Sequence, residues 1–298
     1  MKTLKLPGGL RGSMPALVTP FRDGSVDEDA FRAHCEWQVA EGSHALVPCG
    51  TTGESPTLVP DEHKRLVAIA VEAAGGRVPV IAGCGSNNTA SSMAQMAAAA
   101  DAGADAALVV VPYYNKPSQA GLLAHYRALA EASPLPIILY DVPGRTVTGY
   151  AVDTVAELAK LPTVIGIKDA TGDFGRVSAY RLGCGTELVQ LSGDDGGALG
   201  HAAMGGVGCI SVTANVAPRL CAELMDAALG GRWDEARALQ DRLYPLHAAL
   251  FTDSSPGPAK YALSRIRDFS PELRLPLVGP SEASRRAVDA ALEHARLI

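Results

Sequence analysis

The chain has 298 residues, of which 47% are hydrophobic, 19% charged and only 5% aromatic, and its formal net charge is −6. So much apolar material excludes a disordered chain and supplies one sizeable core, which must be largely aliphatic. The acidic balance argues against nucleic acid or anionic membrane as a partner, and no apolar run approaches the roughly 18 residues of a membrane span.

The N-terminal MKTLKLPGG has two lysines but breaks at Pro7-Gly8-Gly9 before any apolar stretch, so it does not read as a signal peptide. Six cysteines (Cys35, Cys49, Cys84, Cys184, Cys209, Cys221) are scattered without a CxxC pair. They read as reduced, buried thiols of a cytoplasmic protein.

In chain order, short apolar runs alternate with Ala-rich segments of helical period. The runs begin at Met14 (MPALVTP), Ala45 (ALVPCG), Pro79 (PVIAGCG) and Ala106 (AALVVVPYY). Four more follow at Pro136 (PIILYDVP), Val164 (VIGIKDA), Glu187 (ELVQLSGDD) and Gly206 (GVGCISVTA). Runs this continuously apolar suit parallel strands covered on both faces. Between them, DEDAFRAHCEWQVAEG has an acidic first turn and stops at Gly42, and PDEHKRLVAIAVEAAGG opens on Pro60 and stops at a double glycine.

Eight strands alternating with helices predict a (β/α)8 barrel, a TIM barrel, over residues 1–217. A doubly wound sheet is less suited, since no GxGxxG opens the first helix. Residues 218–298 carry four further helical patterns and predict a C-terminal helical extension packed on the barrel.

Barrel chemistry is carried at the C-terminal ends of strands and in the loops that follow. Of seven lysines, only Lys168 ends an apolar strand. Desolvation there lowers an amine's pKa and makes it a nucleophile toward carbonyls; the alternative is a lysine paired with Asp169. Tyr140 ends the fifth run and could relay a proton or simply pack. Arg145 follows a Pro-Gly turn, placed either to clamp a carboxylate in a bidentate fork or to sit in solvent. In CGTTGESPT, Gly50, Thr51, Thr52 and Gly53 could form an anion nest or an ordinary turn. Tyr113 and Tyr114 adjoin at the end of the fourth run, which suggests a polar use or an interface. Seven dispersed histidines show no ligand spacing, and no metal or other cofactor is expected.

Five separated blocks, GTTGES (50–55), PYYNKPSQAGL (112–122), ILYDVPGRT (138–146), GIKDATGD (166–173) and SGDD (192–195), resemble the dihydrodipicolinate synthase family. That family belongs to the pyruvate-dependent class I aldolases, which include N-acetylneuraminate lyase. The resemblance implies a lyase that condenses pyruvate with L-aspartate 4-semialdehyde through a lysine Schiff base, in lysine and diaminopimelate biosynthesis. It implies Lys168 as the Schiff-base lysine, Tyr140 as proton shuttle, and Thr52 and Tyr114 as relay partners, Tyr114 entering the site of a neighbouring subunit. It also implies that Thr51 and Thr52 hold the pyruvate carboxylate and that Arg145 receives that of the semialdehyde. Gly193 and Ile210 would be backbone contacts near the pyruvate pocket. The assembly implied is a homotetramer of two tight dimers.

Asp141 stands where the family often has asparagine. Members inhibited by lysine are similar to this chain at His63, Asn87 and Tyr113, but carry histidine and glutamate where it has Pro60 and Ser91. The competing readings are another aldolase or hydratase of the same group, which generally lacks the arginine, and a non-catalytic keto-acid-binding barrel.

Overall fold

The computed structural model describes residues 9–298, so the tail lysines Lys2 and Lys5 and the MKTLKLPG segment lie outside the described residues. Seven strands make one curled, all-parallel sheet: β1 (Gly12–Pro15), β4 (Ile81–Gly83), β5 (Ala106–Val110), β6 (Ile137–Asp141), β7 (Val164–Asp169), β8 (Val189–Ser192) and β9 (Gly208–Ser211). Their order around the ring is β1-β9-β8-β7-β6-β5-β4. The small hairpin of β2 (Phe21–Arg22) and β3 (Ser25–Val26) stands apart in the loop after β1.

The gap between β1 and β4 is filled by the second apolar run. Val47 bridges Ala16 and Leu46 bridges Val80, both parallel, which closes the ring as an eight-position (β/α)8 barrel. A full strand was expected here, and the structure reduces it to two bridges. Pro15, Pro48 and Pro79 lie in the three adjoining segments, and none has an N–H to donate. The ladder keeps Leu46 N–H to Pro79 O, Val47 N–H to Pro15 O, Leu17 N–H to Val47 O, Ile81 N–H to Leu46 O and Gly83 N–H to Pro48 O, at 2.9–3.1 Å.

The helices start and stop where their end residues dictate. Asp27 caps Glu28–Ala40 by accepting from Ala30 N, and the chain leaves through Gly42 at φ +94°. Pro60 opens Pro60–Ala74, which ends on left-handed Gly75. Strand alternation then sorts the core into layers. Met14, Val47, Ile81, Leu108, Ile138 and Leu191 fill the barrel, while Val67, Val109, Leu139 and Ile167 pack between strands and helices.

The C-terminal helices Trp233–Ala249, Gly257–Ile266 and Glu282–His294 bury Leu243, Leu246, Leu263, Val288 and Leu292 against Val18 and Val212. Those two valines follow the ends of β1 and β9, so the helical region sits beside the barrel mouth. All six cysteines are free, and five are buried.

Candidate active site

Alternation along β6 and β7 decides which groups face the cavity. Tyr140 pairs in register with Lys168 and Asp141 with Asp169. Tyr140 belongs to the barrel-filling layer, and its neighbour Leu139 to the outer one. Tyr140 and Lys168 therefore point into the barrel mouth, and the two aspartates point outward. Lys168 Nζ lies 4.2 Å from the centre of the Tyr140 ring. Both residues are buried, yet neither Lys168 Nζ nor the Tyr140 hydroxyl has a hydrogen-bond or ion-pair partner among the described residues.

Asp169 is not the counter-ion of Lys168. It turns its carboxylate to Arg176 Nε at 2.9 Å, and Thr171 donates to it from N at 2.8 Å and from Oγ1 at 2.6 Å. Arg176 also reaches Asp141 at 2.7 Å and the Tyr150 carbonyl at 3.1 Å, with Tyr180 Oη against it. One guanidinium thus ties together the two residues that follow Tyr140 and Lys168. Burial pushes the Asp141 carboxyl up to about 6, against the opposing pull of Arg176.

These side chains open on a cavity of about 350 Å³ lined by Thr51, Thr52, Tyr140, Arg145, Lys168 and Gly193, among others. The turn carrying the threonines is closed by Gly53 N–H to Gly50 O at 3.0 Å and Glu54 N–H to Thr51 O at 3.1 Å. Thr19 Oγ1 donates to Gly53 O at 2.7 Å and holds the turn from below. Gly193 leaves room for the lysine. A Cβ there would stand 2.9 Å from Lys168 Cε and 2.7 Å from Ala170 Cβ. Its amide donates to Asp169 O at 2.7 Å, which fixes the end of β7.

Six of the eight residues anticipated from sequence come together here. Two do not. Ile210 is buried in the barrel interior and is not among the lining residues; Val212, two positions on, is. Tyr114 sits in a left-handed turn at φ +72°, is 88% exposed and does not reach this cavity.

The sequence reading missed the contribution of the C-terminal helices. Phe251 and Ser255 line the cavity from beyond the Trp233–Ala249 helix. Glu54, within GTTGES, is paired with Lys260 at 2.6 Å, and both are buried. A signal existed for Lys260: Ala259, Ala262 and Leu263 put it on the apolar stripe of its helix.

A second hollow of about 250 Å³ is lined by Leu58, Pro60, His63, Ser91, Ala94, Gln95 and Ala98. His63 Nε2 bonds the Gly83 carbonyl at 2.7 Å, and burial lowers its pKa.

Known proteins resemble this arrangement along nearly its whole length. The sequence profile of the Dihydrodipicolinate synthetase family matches residues 9–295. The 4-hydroxy-tetrahydrodipicolinate synthase of Rhizorhabdus wittichii is 64% identical over 285 residues, 95% of this chain and 98% of that one. That of Zymomonas mobilis is 62% identical over 288 residues, 96% and 99% of the two chains. Among solved structures, a chloride-inhibited dihydrodipicolinate synthase from Acinetobacter baumannii complexed with pyruvate superposes with a TM-score of 0.95. It is 42% identical, with 97% of this chain and 100% of that chain covered. With the fold, the Lys168–Tyr140 pair and the threonine turn all in place, these likenesses show that the chain belongs to the dihydrodipicolinate synthetase family.

Proposed function

We propose that the chain is a lyase that condenses pyruvate with L-aspartate 4-semialdehyde to 4-hydroxy-tetrahydrodipicolinate, the step that commits carbon to diaminopimelate and lysine. The observation that carries this reading is a buried lysine amine without a counter-ion, lying against a tyrosine ring in a cavity lined also by two threonines and an arginine. The Lys168 amine adds to the pyruvate ketone and expels water as an iminium. The iminium acidifies the methyl group, which loses a proton to give an enamine. The enamine carbon attacks the aldehyde, and the semialdehyde's own amine then displaces Lys168 as the ring closes. Each step moves a proton beside the imine nitrogen, and Tyr140 with Thr52 can carry it. Thr51 and Thr52 bind the pyruvate carboxylate. Gly193 keeps the space for the lysine, and the backbone near Ile210 supports the same pocket. A coupled turnover assay over a panel of aldehydes tests the reaction, and preference for another aldehyde would move the chain to a sister aldolase activity.

Arg145 lies exposed at the cavity edge in the short Pro143–Thr146 helix, placed to receive the carboxylate of the second substrate. Losing a charge-assisted contact of this kind costs about 2–3 kcal/mol. Arg145→Ala should lower kcat/KM for the semialdehyde roughly 30- to 150-fold and leave pyruvate imine formation nearly intact. An equal loss of imine formation would assign Arg145 to the first substrate or to structure.

Tyr114 completes the proton relay only from a second copy of the chain, so the active form is at least a dimer with each tyrosine entering its partner's site; the family resemblance extends this to a homotetramer of two tight dimers. Sedimentation is expected to show that tetramer, and a fully active monomer would contradict it. No helix among the described residues is long and apolar enough to cross a membrane, and we place the enzyme in the cytoplasm.

L-Lysine should inhibit weakly or not at all. None of the residues lining the hollow at Pro60, His63 and Ser91 is acidic, so a bound ammonium finds no carboxylate there. Relative to a site with glutamate at position 91, binding should weaken by about 10- to 150-fold. Half-inhibition at submillimolar lysine in the coupled assay would show that other groups supply the acceptor.

A further inference from the structure

We propose that the buried Glu54–Lys260 pair is a positioning device through which the C-terminal helical region sets the shape of the Thr51-Thr52 turn. The proposal deepens the functional reading above and rests on it for the turn's role in receiving a 2-keto acid carboxylate. Neither side chain of the pair has any exposure, and they meet across 206 residues of sequence. The ammonium is fully engaged: Glu54 Oε1 accepts at 2.6 Å, the Glu272 carbonyl accepts at 2.5 Å, and the Phe21 ring lies 4.3 Å away. The second carboxylate oxygen accepts from the Arg274 amide at 3.1 Å. Arg274 covers the Phe21 ring at 4.3 Å and continues to Glu62 and the Thr57 carbonyl on the far side of the turn. Glu54 is thus gripped by two residues of the C-terminal region, Lys260 and Arg274.

Its backbone needs that grip. Glu54 is left-handed at φ +57°, a conformation that is sterically costly for a residue with a Cβ. The Glu54 amide donates to the Thr51 carbonyl at 3.1 Å, so a displacement of Glu54 is passed directly to the residues that line the cavity. Stability does not account for the pair, because an apolar pair of similar volume is often as stable as a buried salt bridge. What the charges add is a single register for the turn relative to the helices.

Two variants test this, Glu54→Gln and the double variant Glu54→Gln/Lys260→Met, the second of which leaves no unpaired charge. Hydrogen exchange of the 49–57 segment reads the turn without substrate. It should quicken at least tenfold in the double variant and less in Glu54→Gln, whose amide oxygen still accepts from Lys260. In turnover, KM for pyruvate should rise about tenfold or more in the double variant and about threefold in Glu54→Gln. KM for the semialdehyde should stay close to wild type in both variants. The melting temperature should stay close to wild type in the double variant and fall in Glu54→Gln, which leaves the buried Lys260 charge without a carboxylate. A folded variant with unchanged exchange at 49–57 and unchanged KM for pyruvate would overturn the proposal. Should the double variant not fold, Glu54→Gln alone decides by the same two readouts. Failure of the wild-type protein to form an imine with pyruvate would strike the functional reading instead and leave the exchange result standing on its own.

Discussion

Lys168→Met is expected to lower turnover by about 10⁴-fold or more, because a covalent route is lost when its nucleophile is removed. Methionine keeps the length and apolar stem of the side chain and deletes only the amine. The melting temperature should change little, since Nζ faces the cavity and has no partner among the described residues. Lys260 cannot substitute. It is buried as well, but its protons are committed to Glu54 and Glu272, and it is absent from the cavity lining. Residual turnover within tenfold of wild type in the coupled assay would mean that the cavity works by a route that needs no amine.

Gly193→Val should cost about 10³-fold in turnover while leaving the fold in place. The backbone at Gly193 is not left-handed, so the substitution tests space and not conformation. A Cβ alone would press to 2.9 Å from Lys168 Cε and 2.7 Å from the Ala170 methyl, and the two added methyl groups extend the clash. The lysine stem must swing away from Tyr140, and a misplacement of about 1 Å can already cost 10²-fold. A variant with near-normal turnover would show that Lys168 reacts from a position other than the one seen here.

Much of this was legible in the chain. All eight apolar runs take places in the barrel, because continuous Val/Ile/Leu stretches between helical patterns leave parallel strands few alternatives. The second run is short of a strand because three prolines around it withhold donors. The hairpin Phe21–Val26 went unread although Asp23-Gly24, both left-handed in the structure, is a strong hairpin-turn signal. Lys168, Tyr140, Thr51, Thr52 and Arg145 could be placed because each ends an apolar run or follows one, whereas Gly193 came only from the family resemblance.

Other features need distance that periodicity does not encode. The pairing of Glu54 with Lys260, and the reach of Phe251 and Ser255 into the cavity, depend on how the C-terminal helices dock over the barrel mouth. The outward turn of Asp169 to Arg176 follows from strand alternation, but its partner seven residues on emerges only when the β7 end and the following helix are seen together. Tyr114 is the opposite case: the sequence placed it with the site, yet it is 88% exposed and does not reach the cavity.

The central claim is that Lys168 forms an imine with pyruvate. Borohydride reduction in the presence of pyruvate, followed by peptide mass mapping, tests it most directly. The account predicts one fixed mass addition per chain, on the peptide that contains Lys168 and on no other. Labelling at Lys116 or Lys260, or no labelling at saturating pyruvate, would contradict it.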